Sequence, residues 1–181
     1  MNKKIRWITE TAVMLALLVS VQALTKPMGQ LVTGSCVNAI LAVAALAGGL
    51  SCGLTVALVS PVMAFLLGIA PQILTVPAIM AGNAVYVWML HSLADPEGKA
   101  LARQAAAWLL AAAAKFAVLY LVVTKLICGV LAEGLLASGV MKAPMLKALP
   151  ATFSWPQLFT ALMGGTVALL IVPTLKKALK K

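Results

Sequence analysis

Apolar runs of about 20 residues, each closed by proline, glycine or charge, recur along this chain and limit what it can fold into more than any other feature. Lipid offers no water to a bare backbone N–H or C=O, so a segment placed there must close its hydrogen bonds internally. A helix does this within one segment. The runs therefore read as the spans of an all-α integral membrane protein. Composition agrees: 63% of the 181 residues are hydrophobic and 10% are charged, where an average soluble domain carries roughly 25% charged residues.

Six transmembrane helices are expected, in one domain covering residues 1–181. The first span covers residues 6–25, centred on TETAVMLALLVSVQAL, and stops at Lys26-Pro27-Met28-Gly29. Its opening, MNKKIRW before an apolar run, with Val21-Gln22-Ala23 placed like a cleavage site, resembles a secretory signal. The run is long enough to span and others follow, so it reads as a retained signal anchor. The next spans are expected over 31–48, 50–69 with Pro61 inside, and 72–91, which starts at Pro71 and holds Pro77. Neighbouring helices or water satisfy the carbonyls that such prolines free. Asp95-Pro96-Glu97-Gly98 is the clearest polar loop. The fifth run, residues 99–131, would be on the order of 50 Å long as an α-helix, so it must tilt, kink or begin as an interfacial segment around 101–104. Residues 132–154, with Gly134, Gly139, Pro144 and Pro150, are too apolar for a solvated loop. They are expected to lie against the membrane face or fold over it. The sixth span covers 155–175, and the basic tail KKALKK follows.

Lysine and arginine near span ends set the orientation. With the N-terminus inside, Lys3, Lys4, Arg6, Lys99, Arg103, Lys176, Lys177, Lys180 and Lys181 are cytoplasmic, and Lys26, Lys142 and Lys147 are external. Nine against three places both the N and C termini in the cytoplasm. The formal charge of +10 is then topology and attraction to anionic lipid headgroups. Nucleic acid is not an expected partner, because the cations are scattered over helix ends.

Residues that carry most enzyme chemistry are scarce. His91 is the one histidine, and the acids are Glu10, Asp95, Glu97 and Glu133. None falls in a cluster with metal-ligand spacing. Cys36, Cys52 and Cys128 stand singly in spans, as small apolar packers do. Gly34-Ser35-Cys36 looks like the opening of a serine-nucleophile motif, but no histidine lies at a matching depth to activate the hydroxyl. No G-x-x-x-x-G-K-[ST] phosphate loop occurs, so active transport would need a partner or an ion gradient. The chain is expected not to be an enzyme and to carry no cofactor.

The informative polar residues lie inside the spans. Lys115, in AAAAKFAVLYL, falls near mid-membrane, where lysine costs about 2.5–3.5 kcal/mol on insertion scales. It is either a functional residue or structural glue paired with a carbonyl or Asn83. Lys125 lies about 15 Å further along and either snorkels to the interface or shares a cavity with Lys115. Asn83 is near mid-depth, and Gln72 is at the outer end of its span. Gln157 opens the last span beside Trp155, itself an interface anchor or a ligand platform. Asn38 and Ser60 suit interhelical hydrogen bonds. Gln72, Asn83, Lys115, Lys125 and Gln157 together suggest a mixed polar pocket open to the outside. Two lysines with no acid at their depth suit an anionic organic ligand.

On the first span, Ala12, Ala16 and Ser20 recur every four residues. In a bilayer, such small-xxx-small spacing lets a second backbone come close, from the same chain or from a partner.

With these features the chain resembles, over its whole length, the substrate-binding S components of energy-coupling factor (ECF) vitamin transporters. The resemblance rests on size, six spans, both termini inside and the Ala-x-x-x-Ala motif Ala12-Val13-Met14-Leu15-Ala16. A short Pro/Gly loop after the first span and a long outer connection before the last also match. The resemblance implies a bacterial plasma-membrane subunit that captures a vitamin-like molecule from outside. It further implies docking through Ala12 and Ala16, extended by Ser20, onto a membrane scaffold subunit attached to two ATPases. The whole subunit would then topple in the bilayer to release its cargo. The pocket would lie in the outer half beneath the loop 26–30, adding Gln30 and Trp155 to Gln72, Asn83, Lys115, Lys125 and Gln157. Members carrying nickel or cobalt have a histidine after the initiator methionine, where this chain has Asn2, which argues against a metal cargo. The alternative is a stand-alone facilitator, channel or assembly protein in which Ala12 and Ala16 pack internally.

Overall fold

The structure, a computed structural model, describes residues 2–69, 72–95 and 100–179. Pro71, the 96–99 part of the polar loop including Lys99, and the tail residues Lys180 and Lys181 lie outside the described residues. The long helices are α1 (Lys3–Thr25), α2 (Gln30–Ala47), α3 (Leu50–Leu66), α4 (Val76–Leu93), α5 (Leu101–Leu119) and, later in the chain, α8 (Trp155–Leu179). Between α5 and α8 lie the short helices α6 (Ala132–Ala137) and α7 (Met145–Phe153). Among the described residues, five helical stretches are long and apolar enough to cross a membrane: Lys3–Met28, Gln30–Ala47, Ile73–Leu93, Leu101–Val130 and Met145–Ala178. The fold is that of a helical, multi-pass membrane protein.

Two boundaries differ from the sequence expectation, each for a physical reason. The third run, expected over 50–69, is helical only to Leu66 and has 17 residues, about 25 Å of α-helix against a hydrocarbon core of about 30 Å. It stops where the chain turns through Gly68, whose φ of 68° is open to glycine at little cost. The fifth run is helical without a break from Leu101 to Val130, so no separate interfacial segment precedes it. Its last 11 residues, Tyr120–Val130, wind as a π-helix. Bonding from i to i+5 puts more residues into each turn, so the run reaches less far than an α-helix of equal length.

Short connections make successive long helices antiparallel. The end of α1, the start of α2, the end of α3 and the start of α4 therefore gather at one end of the bundle, and the start of α1 and the end of α8 lie at the other. Hydrogen bonds stitch the loop end: Lys26 Nζ donates to Gly68 O at 2.7 Å and Thr33 Oγ1 to Thr25 O at 2.7 Å. Residues 132–154 fold over this end. On α7, Leu149 and Phe153 turn inward and join Leu119, Val123, Ile127 and Met141 in a small apolar cluster.

Through the middle of the bundle Leu18, Leu41, Ala45, Val56, Val87, Ala112, Ala161 and Ala168 form a solid core with no exposure at all. The tightest seam joins α2 to α8, which run side by side in the same direction. A Cβ on Gly164 would stand 2.4 Å from Ser35 O and 2.6 Å from Ala39 N, so the two backbones touch there. In contrast, α1 is peripheral. Only 11% of its most apolar stretch is buried, against 33–44% in the other four spanning stretches. Thr11 and Leu18 face the bundle, and Ala12, Ala16 and Ser20 are exposed on the opposite side. Their stripe is not spent on packing within the chain.

Candidate functional site

A cavity of about 350 Å³ sits at the loop end of the bundle, within the range of small-molecule sites. Helical period explains how the sequence builds its walls. On α2, Gln30, Thr33, Gly34, Val37 and Asn38 line it at positions i, i+3, i+4, i+7 and i+8, one face of a helix. The approach to α4 and the helix itself supply Gln72, Thr75, Ile79 and Asn83. The end of α1 adds Gln22 and the turn after it Lys26, the first turn of α8 adds Gln157, and α7 roofs the space with Met145, Leu149, Thr152 and Phe153. Gln30, Lys26 and Gly29 are exposed, so the cavity reaches the surface at this end.

The deepest lining residues converge on one ammonium group. Lys115, 3% exposed, donates from Nζ to Asn38 Oδ1 at 2.5 Å and to Asn83 Oδ1 at 2.6 Å. An ammonium has three N–H donors, so one remains for the cavity that Lys115 lines. Its Nζ also stands 5.4 Å from the centre of the Tyr86 ring, a favourable position for a cation. Second contacts fix the partners. Asn38 Nδ2 donates to Thr160 Oγ1 at 3.2 Å, Thr160 Oγ1 donates to Gln157 O at 3.1 Å, and Tyr86 OH donates to Ala161 O at 3.2 Å. Helices α2, α4, α5 and α8 thus all hold the lysine in place.

Amide oxygens solvate an ammonium without cancelling its charge. No acid lines the cavity among the described residues. The Lys115 ammonium at its floor has no acid to balance it, and a low-dielectric setting would strengthen its attraction to an anion relative to water. Beneath that floor Tyr86, Leu41, Ala45, Ala112 and Ala161 fill the interior. Among the described residues no group of three His, Cys, Asp or Glu side chains is placed to hold a metal ion.

Of the residues singled out in the sequence, Gln30, Gln72, Asn83, Lys115 and Gln157 come together on this cavity. Lys125 and Trp155 do not line it. Lys125 is exposed, with Nζ 5.6 Å from the Tyr120 ring centre. The α-helical phase that would aim it toward Lys115 is lost because the segment carrying it is π-helical. Trp155 is 62% exposed and stacks on Phe116 with ring centroids 5.4 Å apart, as an outward-facing interfacial aromatic does. Sequence reasoning passed over Gln22, Lys26, Thr33, Thr75 and Thr152. The helical spacing of Gln30, Thr33 and Asn38 was a usable signal for one wall. No protein family, curated protein or solved structure matches this chain.

Proposed function

We propose that this chain is the substrate-capture subunit of an ECF-type importer, holding a small anionic organic molecule, vitamin-like in size, in the cavity above Lys115. In this reading it spans a bacterial plasma membrane six times, with both termini cytoplasmic and the cavity facing outward. The 17-residue α3 serves as the sixth span, at the short limit of what a bilayer accepts. The exposed stripe of Ala12, Ala16 and Ser20 is the docking face for a scaffold subunit that carries two ATPases.

The observation that carries the reading is a blind, acid-free cavity with a buried lysine at its floor. A solid core beneath Lys115 suits catching and holding a solute rather than conducting it, which favours capture over a channel or facilitator. The carboxylate of the cargo takes the free N–H of Lys115, while Asn38 and Asn83 hold the ammonium in position. Release then needs a movement of the subunit as a whole, which fits a partner driven by ATP. Binding by the purified chain in detergent tests this: a small organic carboxylate should bind and its methyl ester should bind far more weakly. A chain that binds nothing alone yet passes solute across liposomes would overturn it.

A further inference from the structure

Four of the chain's five glutamines, Gln22, Gln30, Gln72 and Gln157, line this one cavity. They arrive from four separate places: the end of α1, the first residue of α2, the turn before α4 and the first turn of α8. No single helical stripe accounts for that convergence. The hydroxyls nearby are already committed, Thr33 Oγ1 to Thr25 O and Thr75 Oγ1 to Gln72 O. Gln157 Nε2 donates to Thr152 O at 3.2 Å. The side chains of Gln22, Gln30 and Gln72 take no hydrogen bond from any described residue.

A carboxamide offers an N–H donor and a C=O acceptor side by side, with no charge. Its complement is another edge of adjacent donor and acceptor. A cation would leave the donors idle, a second anion the acceptors, and a hydrocarbon both; Gln22 and Gln72 are half-buried and Gln30 is exposed at the mouth, so a matched edge gains their hydrogen bonds while a mismatched one leaves them to water. We infer that the cargo is two-ended, with a carboxylate held at Lys115 and, nearer the mouth, a neutral amide, lactam or ureide-type edge read by Gln22, Gln30 and Gln72. This rests on the capture reading above and names the substrate class of the same site. The cavity volume of about 350 Å³ equals that of roughly a dozen waters, which limits the cargo to a small molecule.

The test uses the full chain in detergent micelles and compact carboxylic acids bearing such an edge, starting with hydantoin-5-acetic acid and dihydroorotate. Each is paired with its N-methylated form and with a carbocyclic analogue that keeps the carboxylate but lacks the edge. At least one parent acid should bind, and N-methylation should weaken it about tenfold, the size of one or two neutral hydrogen bonds. Gln22→Leu and Gln72→Leu should weaken the parent acid by a similar factor and leave the carbocyclic analogue unchanged. The N-methyl comparison is made on the unaltered chain, so it holds even if a variant folds poorly. Equal binding of parent, N-methyl and carbocyclic acids would overturn the inference and leave the capture reading intact. Failure of every edge-bearing acid, while other compounds bind, would do the same. Absence of binding by any compound, together with solute flux through the chain in liposomes, would instead remove the capture reading itself.

Discussion

Replacing Gly164 with alanine tests whether the seam between α2 and α8 is what keeps the cavity floor assembled. The new Cβ would lie 2.4 Å from Ser35 O, 2.6 Å from Ala39 N and 2.7 Å from Asn38 Cβ. An ordinary contact is about 3.5 Å, so the helices must part by roughly 1 Å at this point. Two of the three obstructing atoms belong to the backbone, and no rotamer change relieves them. Overpacking of this kind costs about 1–3 kcal/mol of stability. Asn38 moves with α2, and a shift of about 1 Å takes the 2.5 Å contact from Lys115 Nζ to Asn38 Oδ1 beyond hydrogen-bond range. Thermal unfolding in detergent and affinity for the anionic ligand should therefore fall together, the latter by about 1.5 kcal/mol or more, as for a charged hydrogen bond. Gly134→Ala is the control: its Cβ meets nothing within 4 Å, and it should be neutral or slightly stabilising. A Gly164→Ala protein as stable and as tight-binding as the parent would refute the reasoning.

Three further outcomes follow from the same geometry. Lys115→Met should weaken anion binding by about 1.5–3 kcal/mol, and Lys125→Met, on an exposed side chain outside the cavity, should leave the isothermal binding curve unchanged. Ala12→Trp and Ala16→Trp should abolish ATP-driven uptake yet preserve ligand binding by the isolated chain, because the stripe is exposed and none of its residues lines the cavity; loss of binding would place the stripe in internal packing. With Cys36, Cys52 and Cys128 removed, Lys142→Cys should react with a membrane-impermeant maleimide on intact cells, and reaction only after permeabilisation would reverse the orientation.

The helices were legible in the sequence because a lipid-embedded backbone has so few ways to satisfy itself. The winding within them was less so. Nothing in YLVVTKLICGV separates i→i+4 from i→i+5 bonding, and that difference moved Lys125 off the cavity. Lys115 and Asn83 stood out because charge and carboxamide are rare in a span. Their joint geometry did not, since spacing along α2 says that Gln30, Thr33 and Asn38 share a face but not that the face turns toward α5. Lys26 read as a topology charge and Gln22 as part of a cleavage-like triplet. Only the closing of the loop end, with Lys26 Nζ on Gly68 O, brings both to the mouth.

Single-cysteine labelling inside the cavity measures its blindness most directly. In the cysteine-free chain reconstituted in sealed vesicles, Gln72→Cys and Thr152→Cys, both on cavity-lining positions, should react with an impermeant maleimide added on the side opposite the chain termini. Neither should react from the side of the termini. Ala168→Cys, within the fully buried core beneath Lys115, should react from neither side. Labelling of the cavity cysteines from both faces would mean a continuous path through the bundle and would contradict capture.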